Sequence, residues 1–292
     1  MKNEAQSPTG LSRREAARRR VERVLQAPRQ EILAEIRSRS WHGHNIPLTS
    51  SESTIDASRS LIGDDRRTTV IKSCVRQVFG ESERLRVLDL GALEGGLAFE
   101  MAREGWDTVG MEGRATNYEK CELIRRYFEL DNLSFQHRDV KTLSRARDGD
   151  FDVILCCGLL YHLNDPVEFL HTLRGVVTDR GFLFLDTHVA PADPAATLNT
   201  TPLSELVTIQ NRGRSYEGRW AREPREGSVL DREWSAVSNE ESLGLTHRSL
   251  IRAIYHAGFQ SISELFGMFD IDGEFGLRDA YSRAYFVCKP TW

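Results

Sequence analysis

Three carboxylates recur along the first half of the chain at intervals that could serve one ligand. Asp89 ends an apolar run and is followed by Gly91, Gly95 and Gly96. Glu112 stands 23 residues further on (112 − 89 = 23), and Asp139-Val140 follows the next apolar run. Glycines after a strand let the backbone turn sharply and let a ligand approach the main chain. An acid roughly 20 residues beyond such a loop can accept hydrogen bonds from ribose hydroxyls. An acid after the third run can accept from an adenine amino group. Two histidines add proton chemistry: His162, after Tyr161, and His188, in Asp186-Thr187-His188. A neutral imidazole, with an unperturbed pKa of about 6.5, suits a general base near neutral pH. The competing role for His162 is structural, capping the next helix or buttressing the glycine loop.

Charge separates the ligands such a loop could hold. A dinucleotide needs GxGxxG for its pyrophosphate, and the spacing of Gly91, Gly95 and Gly96 differs from it. Asp89 would also repel a pyrophosphate, whereas it would attract an ammonium and a sulfonium. S-adenosylmethionine is therefore the expected cofactor. The rival of a different class is a nicotinamide-dependent oxidoreductase with an atypical loop.

The elements that must position these residues follow from the pattern. From Arg86 to Thr187 strand and helix signals alternate, as in a parallel sheet with crossover helices. Strands are expected at Arg86–Asp89, Thr108–Glu112, Leu133–His137, Phe151–Cys156 and Phe182–Thr187. Helices are expected at Arg66–Phe79, Gly96–Glu104, Asn117–Leu130 and Pro166–Val177, with a short turn near Val140–Arg147. Asp165 could cap the last of these helices and Pro166 suits its first turn. In an open sheet of this kind ligands bind outside the carboxyl ends of the strands. The three acids, Gly158 and both histidines then share one edge.

Residues 1–63 form a helical and loop extension, and residues 64–292 carry the sheet. Within the extension, Leu11 to about Ile36 is helical and basic, and Pro28 divides it. An anionic partner such as RNA competes there with a plain solvated helix face. The loop Trp41-His42-Gly43-His44 could close the site or bind a metal, but two histidines alone are a poor metal signal. Residues 188–245 interrupt the alternation and read as a lid or acceptor pocket. Tyr216, Trp220 and Trp234 are its candidate stacking walls, and Arg219, Arg222 and Glu223 could orient a polar acceptor. Regularity returns with a helix at Arg248–Ala257 and strands near Ser261–Phe266 and Arg283–Lys289.

Composition narrows the class further. A net charge of −4 over 292 residues argues against bulk electrostatic binding to nucleic acid. Five cysteines without regular spacing suggest free thiols in a reducing compartment, with no structural zinc. Cys156 and Cys157 have no basic neighbour in sequence and read as packing residues. No apolar run approaches a membrane span and the N-terminus lacks a signal-peptide core, so a cytoplasmic chain is expected. No pattern speaks to oligomeric state.

The stretch Val87–Leu185 resembles the class I S-adenosylmethionine-dependent methyltransferases. The resemblance rests on VLDLGALEGG (87–96), VGMEGR (109–114), HRDV (137–140) and FDVILCCGLLYHL (151–163). It implies a Rossmann-like, doubly wound α/β sheet, mostly parallel with an antiparallel last strand. It implies Gly91 and Gly95 around the methionine part of the cofactor, with Asp89 near its amino group. Glu112 falls to the ribose, Asp139 and Val140 to the adenine, and Gly158 beside the cofactor. Leu93 stands where that family usually has a third glycine. LYHLNDP (160–166) is also similar to wobble-uridine tRNA modification enzymes and to many bacterial small-molecule methyltransferases. Methyl transfer to an oxygen or nitrogen of a small molecule is the expected activity. RNA modification is the alternative, without an Asn/Asp-Pro-Pro-Tyr/Phe or Pro-Cys motif to support it.

Overall fold

The computed structural model describes residues 29–56, 58–80, 84–191, 197–198, 201–223, 234–268 and 283–291. Five parallel strands form the centre: β1 (Arg86–Leu90), β2 (Asp107–Glu112), β3 (Leu133–His137), β4 (Phe151–Cys157) and β5 (Val177–His188). Beyond β5 the chain adds the short pair β6 (Thr197–Leu198) and β7 (Thr201–Pro202), then β8 (Val207–Asn211), β9 (Arg214–Arg222) and β10 (Glu241–Leu245). β11 (Ser261–Glu264) and β12 (Arg283–Lys289) complete the main sheet, in the order β11-β12-β5-β4-β1-β2-β3. The last strand, β12, runs antiparallel to both its neighbours.

Central strands are buried on both faces, as in parallel sheets covered by helices. Leu88, Ile154 and Leu183 face one core layer, and Val87, Val153 and Phe182 face the other. The first layer is closed by α6 (Pro166–Val176) and α7 (His247–Ala257), the second by α1 (29–38), α2 (Arg66–Phe79), α3 (Gly96–Arg103) and α4 (Ala115–Phe128). A single short turn, α5 (Arg145–Asp148), lies before β4. Local chemistry sets the helix ends. Asp65 caps α2 by accepting from Arg67 N–H, and Asp165 caps α6 by accepting from Glu168 N–H, with Pro166 in the first turn.

Three features depart from the sequence expectation. β5 begins at Val177 instead of Phe182, because Val177 pairs with Phe151 before an irregularity in register. Within the stretch 188–245, which the sequence shows only as a break in the alternation, the described residues include β8, β9 and β10, which form an antiparallel sheet. The β8–β9 turn has Arg212 and Gly213 both at positive φ, the type I′ geometry of a two-residue hairpin. Third, residues of the N-terminal extension are core: Leu33, Ile36, Trp41, Ile46 and Ile62 pack in the second layer. Of the basic helix expected from Leu11 to about Ile36, residues 11–28 lie outside the described residues.

Candidate active site

The carboxyl ends of β1–β5 open into a cavity of about 800 Å³. Asp89, Gly91, Glu112, Asp139, Val140 and Gly158 line it, as do His162 and His188. Gly95 does not. A side chain there would meet Phe135 Cζ at 2.9 Å and Cys121 Sγ at 3.2 Å, and its left-handed φ of 80° starts α3. Gly95 thus shapes the loop from behind. Leu93 adopts a left-handed φ of 53°, so the turn that a glycine would make freely is made here by leucine. Two contacts hold it: Leu93 N–H donates to Glu112 Oε2 at 2.8 Å, and the Cys121 thiol donates to the Leu93 carbonyl at 3.3 Å.

Asp89 is buried and accepts from Ala98 N–H at 3.1 Å. Burial pushes its carboxyl up to about 7; the Ala98 N–H opposes that rise, Glu112 adds to it and Arg67 opposes it. Glu112, also buried, accepts from Leu93 and Arg114 N–H groups. Burial still leaves its carboxyl raised. Asp139 accepts from Lys141 N–H at 2.9 Å and from the Ser238 hydroxyl at 2.6 Å.

The loop that enters the helix is closed by the N-terminal segment. Glu94 accepts from the N–H groups of His42, Gly43 and His44, and pairs with Lys120 at 3.1 Å. His44 Nδ1 accepts from Gly96 N–H at 2.9 Å. The first amide of α3 is therefore spent on His44. Burial pushes the His44 imidazole down to about 4, against the pull of Glu94, and keeps it neutral as an acceptor must be. His44 is thus a buried acceptor that fastens this loop to the helix. Among the described residues no cluster of three or more His, Cys, Asp or Glu is placed to hold a metal ion.

On the other side, the turn Leu160–His162 after β4 sets His162 on the cavity wall. Its Nδ1 lies 3.0 and 3.1 Å from the carboxylate oxygens of Glu223, at the end of β9. Burial acts to raise the Glu223 carboxyl, but the bonds from His162 and Ala236 N–H hold it below its ordinary value. A proton on Nδ1 would donate to Glu223 and leave Nε2 as the basic nitrogen. Tyr161 packs against both histidines, 4.2 Å from the His162 ring and edge-on to His188 at 4.6 Å. Below them Asp186 is fully buried between Arg283, at 2.6 and 2.8 Å, and Arg67, at 3.4 Å. Burial raises the Cys157 thiol, on the cavity wall, well above its ordinary value, which disfavours the thiolate form.

Of the expected stacking walls only Trp234 lines this cavity. Tyr216 is core, its hydroxyl 2.9 Å from His256 Nδ1, and Trp220 packs against the same core layer. Arg219 holds the Pro191 and Ser204 carbonyls instead of facing an acceptor, whereas Arg222 and Glu223 do line the cavity. Sequence reasoning missed Arg67, Arg114, Ser238 and Asn239. Only Arg114, two residues after the strand-two acid, carried a local signal.

A seven-stranded sheet in this order, with acids at three successive strand tips, defines the class I S-adenosylmethionine-dependent methyltransferases. The family model described as a methyltransferase domain matches residues 13–264, and the chain belongs to that family. Curated relatives include the ubiquinone biosynthesis O-methyltransferases of Albidiferax ferrireducens, 29% identical over 124 residues, and Psychrobacter cryohalolentis, 30% over 125. Each match covers 42% of this chain and 45% of the relative, so the chain spans less than half their length. Among solved structures, the N-terminal domain of EvdMO1 in the presence of SAH and D-fucose superposes with a TM-score of 0.63. It is 23% identical, over 93% of this chain and 97% of that one. An S-adenosylmethionine-dependent methyltransferase from Clostridium acetobutylicum gives 0.52 at 13% identity, over 77% and 91%. Among the described residues no helix is long and apolar enough to cross a membrane.

Proposed function

We propose that the chain methylates a hydroxyl oxygen of a small-molecule acceptor, with His162 as general base and Glu223 as its orienting partner. The observation that carries this reading is the His162–Glu223 pair at 3.0 Å on the wall of the cofactor cavity. The residues fit S-adenosylmethionine. A buried carboxyl pushed up to about 7 calls for a cation beside it, and the amino-acid end of the cofactor offers an ammonium. Asp89 takes that end, and Arg67 on the same wall meets the cofactor carboxylate. Glu112 accepts from the ribose hydroxyls and Asp139 from the adenine amino group, with Gly91, Val140 and Gly158 giving close backbone or apolar contact. When bound, S-adenosylmethionine supplies an electrophilic methyl group. His162 Nε2 takes the hydroxyl proton as the oxygen attacks, and the Glu223 carboxylate stabilises the imidazolium that results. His188, across Tyr161, shapes the acceptor wall.

An oxygen acceptor is favoured over nitrogen because a hydroxyl must lose its proton to become a good nucleophile, which gives an oriented base its use. The curated relatives are named as O-methyltransferases, and the D-fucose in the EvdMO1 structure is a hydroxylated small molecule. The test is a screen with methyl-labelled S-adenosylmethionine against catechols, sugars, small amines and tRNA. Label is expected on a hydroxylated small molecule. His162→Ala should then lower turnover by roughly 10²–10⁴ while affinity for S-adenosylhomocysteine stays within about threefold. Label on tRNA, or full turnover by His162→Ala, overturns the reading.

A further inference from the structure

The segment 235–239 between β9 and β10 touches both ends of the cavity. At the adenosine end, the Arg114 Nη2 donates to the Ser235 carbonyl at 2.7 Å, the Ser235 hydroxyl at 2.9 Å and the Ala236 carbonyl at 2.8 Å. Arg114 follows Glu112 by two residues, and its own N–H donates to Glu112 Oε1 at 2.7 Å. Ser238 holds Asp139, and Val237 packs so closely on Gly113 that a Cβ there would lie 2.9 Å from it. At the other end, Ala236 N–H donates to Glu223 Oε2 at 2.7 Å, and the Asn239 amide donates to the His162 carbonyl at 2.9 Å. One guanidinium therefore grips the carbonyls on either side of the amide that holds Glu223.

We infer that Arg114 is a positioning residue for the base: through Ser235 and Ala236 it holds Glu223, and through Glu223 it fixes which ring nitrogen of His162 bears the proton. The inference rests on the His162–Glu223 reading above. The chain of contacts is short and each link is directional. Arg114 fixes the peptide plane at 235–236, which aims the Ala236 N–H at Glu223. That bond leaves the Glu223 carboxylate placed to accept from His162 Nδ1. Free neutral histidine prefers its proton on Nε2, so holding it on Nδ1 takes a fixed acceptor. Loss of the Arg114 grip lets the carboxylate move and the proton return to Nε2, the nitrogen needed as base. The adenosine subsite and the base are tied by the same segment, because Glu112 and Asp139 hold its anchors from below.

The protein labelled with ¹⁵N-histidine reads this directly, since long-range ¹H–¹⁵N spectra above pH 8 distinguish the two tautomers. His162→Gln identifies the resonance. Wild type is expected to show His162 protonated on Nδ1; protonation on Nε2 would refute the His162–Glu223 reading itself. Arg114→Met is expected to move His162 mainly to the Nε2 form, and Arg114→Lys, which keeps one donor within reach of a carbonyl, to restore part of the Nδ1 form. Calorimetry with S-adenosylhomocysteine is expected to change by less than about threefold in both variants, and retained binding also reports a folded cavity. A wild-type His162 on Nδ1 that stays there in a folded Arg114→Met variant overturns the inference. So does a loss of S-adenosylhomocysteine binding in Arg114→Met with no change of tautomer, which would make Arg114 a cofactor contact.

Discussion

Asp89 carries the most consequence of any single residue. Its carboxyl is pushed up to about 7 by burial, from an ordinary value of 3.8. A cationic cofactor end beside it would lower that value again, so binding must release a proton wherever the free protein holds one. The sign follows: affinity rises with pH until the free carboxyl is ionised. Between pH 6 and 8 the dissociation constant for S-adenosylmethionine should fall about tenfold. Calorimetry in buffers of different ionisation enthalpy should show proton release near neutral pH. Asp89→Asn should bind more weakly and show neither effect. A flat pH dependence in the wild type would place the ammonium elsewhere. The carboxylates were legible in the sequence because each follows an apolar strand at its own spacing. His162 was legible as well, but its partner was not. Glu223 lies 61 residues away, and nothing local in its sequence marks it as a histidine's acceptor.

At the scale of elements, the loop 41–48 is fastened to the start of α3 by contacts that span about fifty residues. Glu94 takes three of its amides and His44 takes the first amide of the helix. These are main-chain bonds to single side chains, and no periodicity announces them. That is why Trp41-His42-Gly43-His44 read as a loop of uncertain use, whereas the capping of α6 by Asp165 and Pro166 was readable from two adjacent residues. The β8–β9 hairpin fell between these cases. Its Asn-Arg-Gly-Arg turn is a local signal that the surrounding charges obscured. The His44 contact makes stability depend on pH. Its folded value, about 4, lies below the ordinary 6.5, so the contribution is complete above pH 6.5 and is lost as pH falls toward 4. Glu94, Asp65, Arg67 and Arg59 set the surrounding field. His44→Asn keeps an acceptor near the position of Nδ1 but does not titrate. Its melting temperature should fall less than the wild type's between pH 6.5 and 5, and His44→Ala should cost about 1–3 kcal/mol at pH 7 by leaving the Gly96 amide unpaired. Parallel melting curves for wild type and His44→Asn across that range would remove His44 as the titrating group.

For the whole molecule, the two core layers decide how many folding units there are. The sequence suggested a boundary near residue 63, because the first stretch is polar and the alternating pattern starts later. In the structure Leu33, Ile36, Trp41, Ile46 and Ile62 share a core layer with Phe99, Phe182 and Phe184. Tyr216, Leu243 and Leu245 share the opposite layer with Leu88 and Ile154. The apolar positions of this stretch are sparse, yet among the described residues Leu33, Ile36, Trp41, Ile46, Leu48 and Ile62 are buried. Burying each large apolar side chain is worth about 1.5–3 kcal/mol, so the five N-terminal ones together reach the whole net stability of a typical domain, about 5–15 kcal/mol. Loss of Glu94's amide partners would add a buried carboxylate left with Lys120 alone. A chain beginning at residue 64 should therefore fail to fold, with no cooperative melting and no binding of S-adenosylhomocysteine. The full chain should unfold in one calorimetric transition that shifts upward as a unit when S-adenosylhomocysteine is added, because the cavity draws on both layers. If residues 64–292 instead melted cooperatively and bound S-adenosylhomocysteine as the full chain does, the N-terminal residues would be a separable cover, and the tie between Glu94 and the glycine loop would be dispensable for the site.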